Sequence, residues 1–154
     1  MMNEHDVWKY CVEYFENNGG KIHAACPPGG SSIYPRCMLY NSITRKRDEP
    51  DLLATIGNDL YIIEAKQSLE QSFKQGLKAS SNESDYDKLV RIAKDYNAGF
   101  YDKQLKENYL INVHNYSMHI AITYHSQSTV ISGPTLGLDH FIVSNTGSVL
   151  LVSH

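Results

Sequence analysis

The chain is short of sulfur, of positive charge and of long apolar runs, and each shortage removes a class of protein. Its three cysteines, Cys11, Cys26 and Cys37, include no CxxC pair. A four-thiolate zinc site and a disulfide-dense secreted scaffold are therefore excluded. Fourteen Lys and Arg face 17 Asp and Glu, a formal net charge of -3. No overall positive field exists to hold a polyanion, so contact with nucleic acid has to come from a local patch. No apolar run approaches the length of a membrane span, and no membrane association is expected. The opening residues, MMNEHDVWKY, place acids where a secretion signal needs basic and then apolar residues. A soluble, cytoplasmic (intracellular) protein is the expectation.

What is present is ordinary in proportion. The 154 residues are 42% hydrophobic and 20% charged, which excludes disorder, collagen-like repeats and a long coiled coil. The length suits one domain spanning residues 1–154 and is too short for two well-cored ones. Eleven tyrosines stand against four phenylalanines and one tryptophan.

Apolar spacing of three and four predicts a helix over residues 4–18, with Val7, Trp8, Cys11, Val12, Tyr14 and Phe15 on one stripe and Gly19-Gly20 as its stop. Glu4 falls inside that stripe, whereas Glu13 falls on the far side. KIHAA (21–25) predicts a short strand. Residues 26–50, rich in Pro, Gly and Ser, are the least regular part and allow one strand across 38–43 if the loop folds back onto the sheet. DLLATI (51–56) and DLYIIEAK (59–66) are apolar runs separated by Gly57-Asn58, a dipeptide suited to a tight hairpin turn. Residues 67–80 read as an amphipathic helix with Leu69, Phe73 and Leu77 in line. Residues 84–97 read as another, capped by Ser84 and ended by Gly99, with Leu89, Ile92, Ala93 and Tyr96 inward. Strands are expected at 117–125, 129–132, 140–144 and 148–152. The whole reads as one mixed α/β domain.

The chemistry concentrates in the hairpin. Pro50-Asp51 is followed, after 12 intervening positions, by Glu64-Ala65-Lys66. The acid-x-Lys triplet alone is weak, since 17 acids and ten lysines predict about one such triplet by chance. Placement gives it meaning: along a strand Glu64 and Lys66 share one face, and Ala65 takes the other. With Gly57-Asn58 as a two-residue loop, Asp51 lies directly across from Glu64, where like charges repel. A proton on one carboxyl or a cation between the two would offset that repulsion. A hard divalent ion such as Mg²⁺ suits carboxylate oxygens, and Lys66 beside it would orient or deprotonate the attacking water. If the loop is instead Asn58-Asp59, or four residues from Gly57 to Leu60, Asp51 faces Lys66 and the motif is a surface salt bridge worth under about 1 kcal/mol. A three-residue loop places the two acids on opposite faces and defeats a metal site.

These residues, Pro50-Asp51…Glu64-Ala65-Lys66 with apolar strands around them and an amphipathic helix before them, resemble the PD-(D/E)XK nuclease superfamily, which includes type II restriction endonucleases and archaeal Holliday-junction resolvases. The resemblance spans roughly residues 4–97. It implies an α/β, restriction-endonuclease-like αβββαβ core with a mixed central sheet flanked by helices. It also implies Mg²⁺-dependent endonuclease activity on DNA, with Mn²⁺ able to substitute, and catalytic roles for Asp51, Glu64 and Lys66. The metal ligands would be Asp51, Glu64 and the backbone carbonyl of Ala65. Resolvase-like members add a glutamate near the start of the first helix, a position matched by Glu4. Family resemblance further suggests a homodimer. The long 26–50 segment departs from the resolvase pattern.

Weaker signals surround the motif. Arg45-Lys46-Arg47 is a compact basic run able to contact phosphates, and Lys74 and Lys78 share a helical face with the same capacity. Asp48 and Glu49 are further acids near the site, Gln67 follows the motif, and His5 adjoins Glu4. Tyr34 and Tyr40 are candidates for stacking on bases. The competing expectation is a non-catalytic nucleic-acid-binding or assembly module on the same fold, or an endonuclease acting on RNA.

Overall fold

A computed structural model describes residues 2–73, 83–126 and 137–154. Among these, helix α1 (Glu4–Asn17) opens the chain, followed by β1 (Lys21–Ala25), β2 (Leu39–Asn41), β3 (Lys46–Asp48), β4 (Leu52–Ile56) and β5 (Asp59–Ala65). Helices α2 (Asp85–Asn97) and α3 (Asp102–Tyr109) then lead to β6 (Ser117–His125), β7 (Asp139–Val143) and β8 (Val149–Val152). Six strands form one mixed sheet in the order β1-β4-β5-β6-β7-β8. The strands β1, β4 and β5 are antiparallel neighbours, β5, β6 and β7 run parallel, and β8 returns antiparallel. The pair β2-β3 makes a separate ribbon.

Local sequence explains most of these elements. Asn3 caps α1 by accepting from the Asp6 amide at 2.8 Å, which satisfies one of the free N–H groups of its first turn. Ser84 does the same for α2 from the Asp87 amide at 3.1 Å. Gly57, at φ 56°, takes the left-handed position of a two-residue hairpin loop at no steric cost. Leu52 then pairs with Ile63 and Ile56 with Asp59.

Pleating sorts the strands into two faces. Leu52, Ala54, Tyr61, Ile63 and Ala65 pack beneath α1 with Trp8, Cys11, Val12 and Phe15. Leu53, Leu60 and Ile62 face the other way, onto Leu89, Ile92, Tyr96, Tyr101 and Leu105 of the second helical layer. Among the described residues no helix is long and apolar enough to cross a membrane.

Two local expectations differ from what is found, and one helix was not expected. The stretch expected as a helix over 67–80 shows a single 3₁₀ turn, Glu70–Phe73, and its remainder lies outside the described residues, as does the expected strand at 129–132. The irregular 26–50 segment does contribute extended backbone at 39–41. That backbone pairs with 46–48 as its own ribbon rather than joining the sheet, because Asn41 folds the chain back at once through its Oδ1, which accepts from the Ile43 and Thr44 amides. Helix α3 went unread because Leu105 is its one buried residue, leaving too thin an apolar stripe to register as periodicity.

Candidate functional site

The hairpin register places Asp51 one step before the Leu52–Ile63 pair, hence across from Glu64. Because Leu53 and Ile62 face α2, alternation turns Asp51, Glu64 and Lys66 toward α2 as well. Asp51 closes the end of the ladder with its own side chain: the Ala65 amide donates to Asp51 Oδ2 at 2.8 Å. Its backbone carbonyl accepts from the Trp8 indole N–H at 2.9 Å and from the Cys26 amide at 3.1 Å. Helix α1 and strand β1 therefore fix the strand end that carries the acid.

Glu64 is 3% exposed. Burial raises its pKa well above the ordinary carboxylate value, and the opposed Asp51 carboxylate raises it further. Asp51 is also raised, chiefly by burial, against the pull of its hydrogen bonds from Glu64 and Ala65 and of the nearby lysines.

Helix α2 answers this with a row of charges. Asp85, Lys88 and Arg91, three residues apart on one face, each take a partner from the strand side. Asp85 Oδ2 pairs with Lys66 Nζ at 2.7 Å, and Lys66 Nζ is 3.8 Å from Glu4 Oε1. Lys88 Nζ forms an ion pair with Glu64 Oε1. Burial alone would lower the Lys88 pKa, but Glu64 and Asp51 hold it above its usual value, so the ammonium stays charged. Arg91 grips Asp48 through both terminal nitrogens, at 2.7 and 2.9 Å, and also binds Glu83 through Nε and a terminal nitrogen, both at 2.8 Å.

Four of the five catalytic and metal candidates thus converge as side chains: Glu4, Asp51, Glu64 and Lys66 meet at the end of β5. The fifth, Ala65, contributes backbone there. The basic run is exposed on the β2-β3 ribbon, with Lys46 and Arg47 on β3 and Arg45 at φ 59° before it. Lys74 and Lys78 lie outside the described residues. Asp48 and Glu49 serve ion pairs instead, Asp48 with Arg91 and Glu49 with Arg36 at 2.5 Å. His5 stacks on Trp8 with ring centroids 5.6 Å apart and sits 3.3 Å from the Pro28 carbonyl. Tyr34 donates to Glu16 at 2.8 Å, while Tyr40 is exposed.

Sequence reasoning missed Asp85, Lys88 and Arg91. Their signal was present, since Asp85 falls inside the stripe formed by Leu89, Ile92 and Tyr96 and Lys88 at its border, where a charge meets the sheet rather than water.

Charge and donor chemistry decide whether these residues suit a divalent ion. Among the described residues around the end of β5, the carboxylates of Glu4, Asp51, Glu64 and Asp85 outnumber the ammoniums of Lys66 and Lys88 by two. The two opposed acids are hard oxygen donors, and their pKa values are raised chiefly by burial, that of Glu64 also by the opposed carboxylate. The set fits a hard divalent ion. Among the described residues no group of three or more His, Cys, Asp or Glu side chains gathers in metal-binding geometry, so such an ion would rest on two carboxylates supplemented by backbone and water. Compared with protein-family models, curated proteins and solved structures, the chain matches none.

Proposed function

We propose that the chain is a divalent-metal-dependent endonuclease of the PD-(D/E)XK type that hydrolyses phosphodiester bonds in DNA. The observation that carries this reading is the opposition of Asp51 and Glu64 on the face that also presents Lys66. The element order α1-β1-β4-β5-α2-β6, an antiparallel trio followed by a parallel strand beyond a helix, supports it, since this is the αβββαβ order that the resemblance implies.

Asp51 and Glu64, with the Ala65 carbonyl, would hold Mg²⁺ or Mn²⁺. Such an ion, when bound, polarises the scissile phosphate and lowers the pKa of the attacking water. Lys66 orients that water and stabilises negative charge on the phosphate oxygens as it builds. Glu4 and Asp85 are positioning residues, because their carboxylates hold the Lys66 ammonium in place. The Arg45-Lys46-Arg47 run, on the ribbon that enters β4 through Asp48 and Asp51, supplies contact with the phosphate backbone. Two copies would serve the two strands of a duplex.

One observation favours a second reading. Lys66 and Lys88 each already have a carboxylate partner, as in a salt-bridged network that only stabilises a nucleic-acid-binding module. Incubation of duplex DNA and of RNA with and without Mg²⁺ or Mn²⁺ separates the two. The nuclease reading expects metal-dependent cleavage that falls about 10³-fold in Asp51→Ala and in Lys66→Ala. Cleavage that survives both substitutions rejects the site. Binding without cleavage under every metal favours the module, and cleavage confined to RNA transfers the site to that substrate.

A further inference from the structure

The charge row of α2 is balanced at its two ends and unbalanced in the middle. At one end Asp85 meets Lys66 at 2.7 Å; at the other Arg91 meets Asp48 and Glu83 at 2.7 and 2.8 Å. Between them, among the described residues, the ammonium of Lys88 faces two opposed carboxylates, one of them almost fully buried. Lys66 cannot take over this task while Asp85 and Glu4 hold it. Lys88 is therefore the resident cation of the pair, brought there by a helix that also packs Leu89 and Ile92 into the core.

A divalent ion seeking the same oxygens meets a positive charge already seated on Glu64. Two cations a few ångströms apart in a partly desolvated site repel strongly, and a buried carboxylate left by one cation needs another. We propose that Lys88 is a tethered counter-ion that competes with divalent metal for the Asp51–Glu64 pair, and so sets the metal affinity of the site. The four-carbon stem lets the ammonium leave Glu64 without moving α2. This inference rests on the metal-binding reading above and adds to it a residue outside the PD…EAK motif.

The test is Mn²⁺ binding, measured by titration calorimetry on the full chain at fixed pH and low salt, with no nucleic acid present. The wild type is compared with Lys88→Met, Lys88→Arg, Asp51→Asn and Glu64→Gln. Lys88→Met is expected to bind Mn²⁺ about tenfold more tightly or better, because the competing charge is gone. Lys88→Arg, which keeps a cation, is expected to bind no more tightly than the wild type. Removing the counter-ion also weakens the metal-free fold, so the rise in melting temperature on saturation with Mn²⁺ is a second readout, expected to be larger in Lys88→Met than in the wild type. Equal or weaker Mn²⁺ affinity in Lys88→Met overturns the role of Lys88. If Asp51→Asn and Glu64→Gln still abolish binding in that case, the metal site itself stands. Absence of Mn²⁺ binding in every protein, wild type included, overturns both.

Discussion

The two faces of the sheet solve opposite problems with the same strands. Beneath α1 the layer is aromatic and close-packed: Phe15 lies 5.6 Å from Tyr61 and 5.4 Å from Phe141 between ring centroids. Burial pushes the Cys11 thiol and the Tyr61 phenol up to about 12, so both stay neutral at ordinary pH. The charged corner of that face lies at the start of β5, where His119 is shared by Asp59 at 2.8 Å and Asp139 at 3.2 Å. Beneath α2 the middle of the sheet is equally apolar. At the far end of β5, however, it carries two opposed acids, one of them almost fully buried. One face holds the fold together, while the other gives up part of that stability to hold charges where water alone would not gather them.

If this division is right, substitutions on the two faces should separate stability from chemistry. The largest effect belongs to the α1 face. Phe15→Ala, at a site with no solvent exposure, should cost about 4 kcal/mol in chemical denaturation, with cleavage per folded molecule unchanged. A proportional loss of cleavage would blur the distinction. On the α2 face, Arg91→Met removes the partner of the buried Asp48 and of Glu83 and should cost about 3 kcal/mol by the same measurement.

The third substitution should move stability the other way. Glu64 has a folded pKa raised above its usual 4.5. Its contribution is fully present below that value and is lost as pH rises through the raised pKa. Glu64→Gln removes the loss, so it should gain about 1 kcal/mol at neutral pH in metal-free buffer. The gain should vanish below about pH 4. A variant less stable than the wild type at every pH would show the two acids to be a stabilising pair. The smallest change in stability is expected for Arg45, Lys46 and Arg47 replaced together by Ala, within about 0.5 kcal/mol. The salt dependence of DNA binding should nevertheless flatten, its slope falling by about 1 for every phosphate the variant no longer neutralises.

What the sequence disclosed follows from how far apart the deciding residues are. The hairpin itself was legible from Gly57-Asn58 and the apolar runs beside it, but the loop length, and with it the residue across from Asp51, stayed open until the register paired Ile56 with Asp59. The inward direction of Glu4 followed from one helix's periodicity, and its carboxylate comes within 3.8 Å of Lys66. Partner choice was not legible. Whether Asp51 meets Lys66 or Glu64 depends on loop length, but whether Lys66 is claimed by Asp85, or Glu64 by Lys88, depends on how α2 sits across the sheet. That docking is set by Leu89 and Ile92 against strands distant in sequence, and no local pattern encodes it. The same holds for the β2-β3 ribbon, which Arg91 reaches at Asp48 over 43 positions and Gln104 at Tyr40 over 64.

The indole that donates to the Asp51 carbonyl belongs to the only tryptophan in the chain. Its ultraviolet emission therefore comes from a single place, one hydrogen bond away from the backbone of a proposed metal ligand. Any event that shifts that strand end, such as an ion arriving, a lysine leaving or the first helix slipping, is written into the colour and intensity of one fluorophore. The protein carries its own optical gauge, and it needs no label to be read.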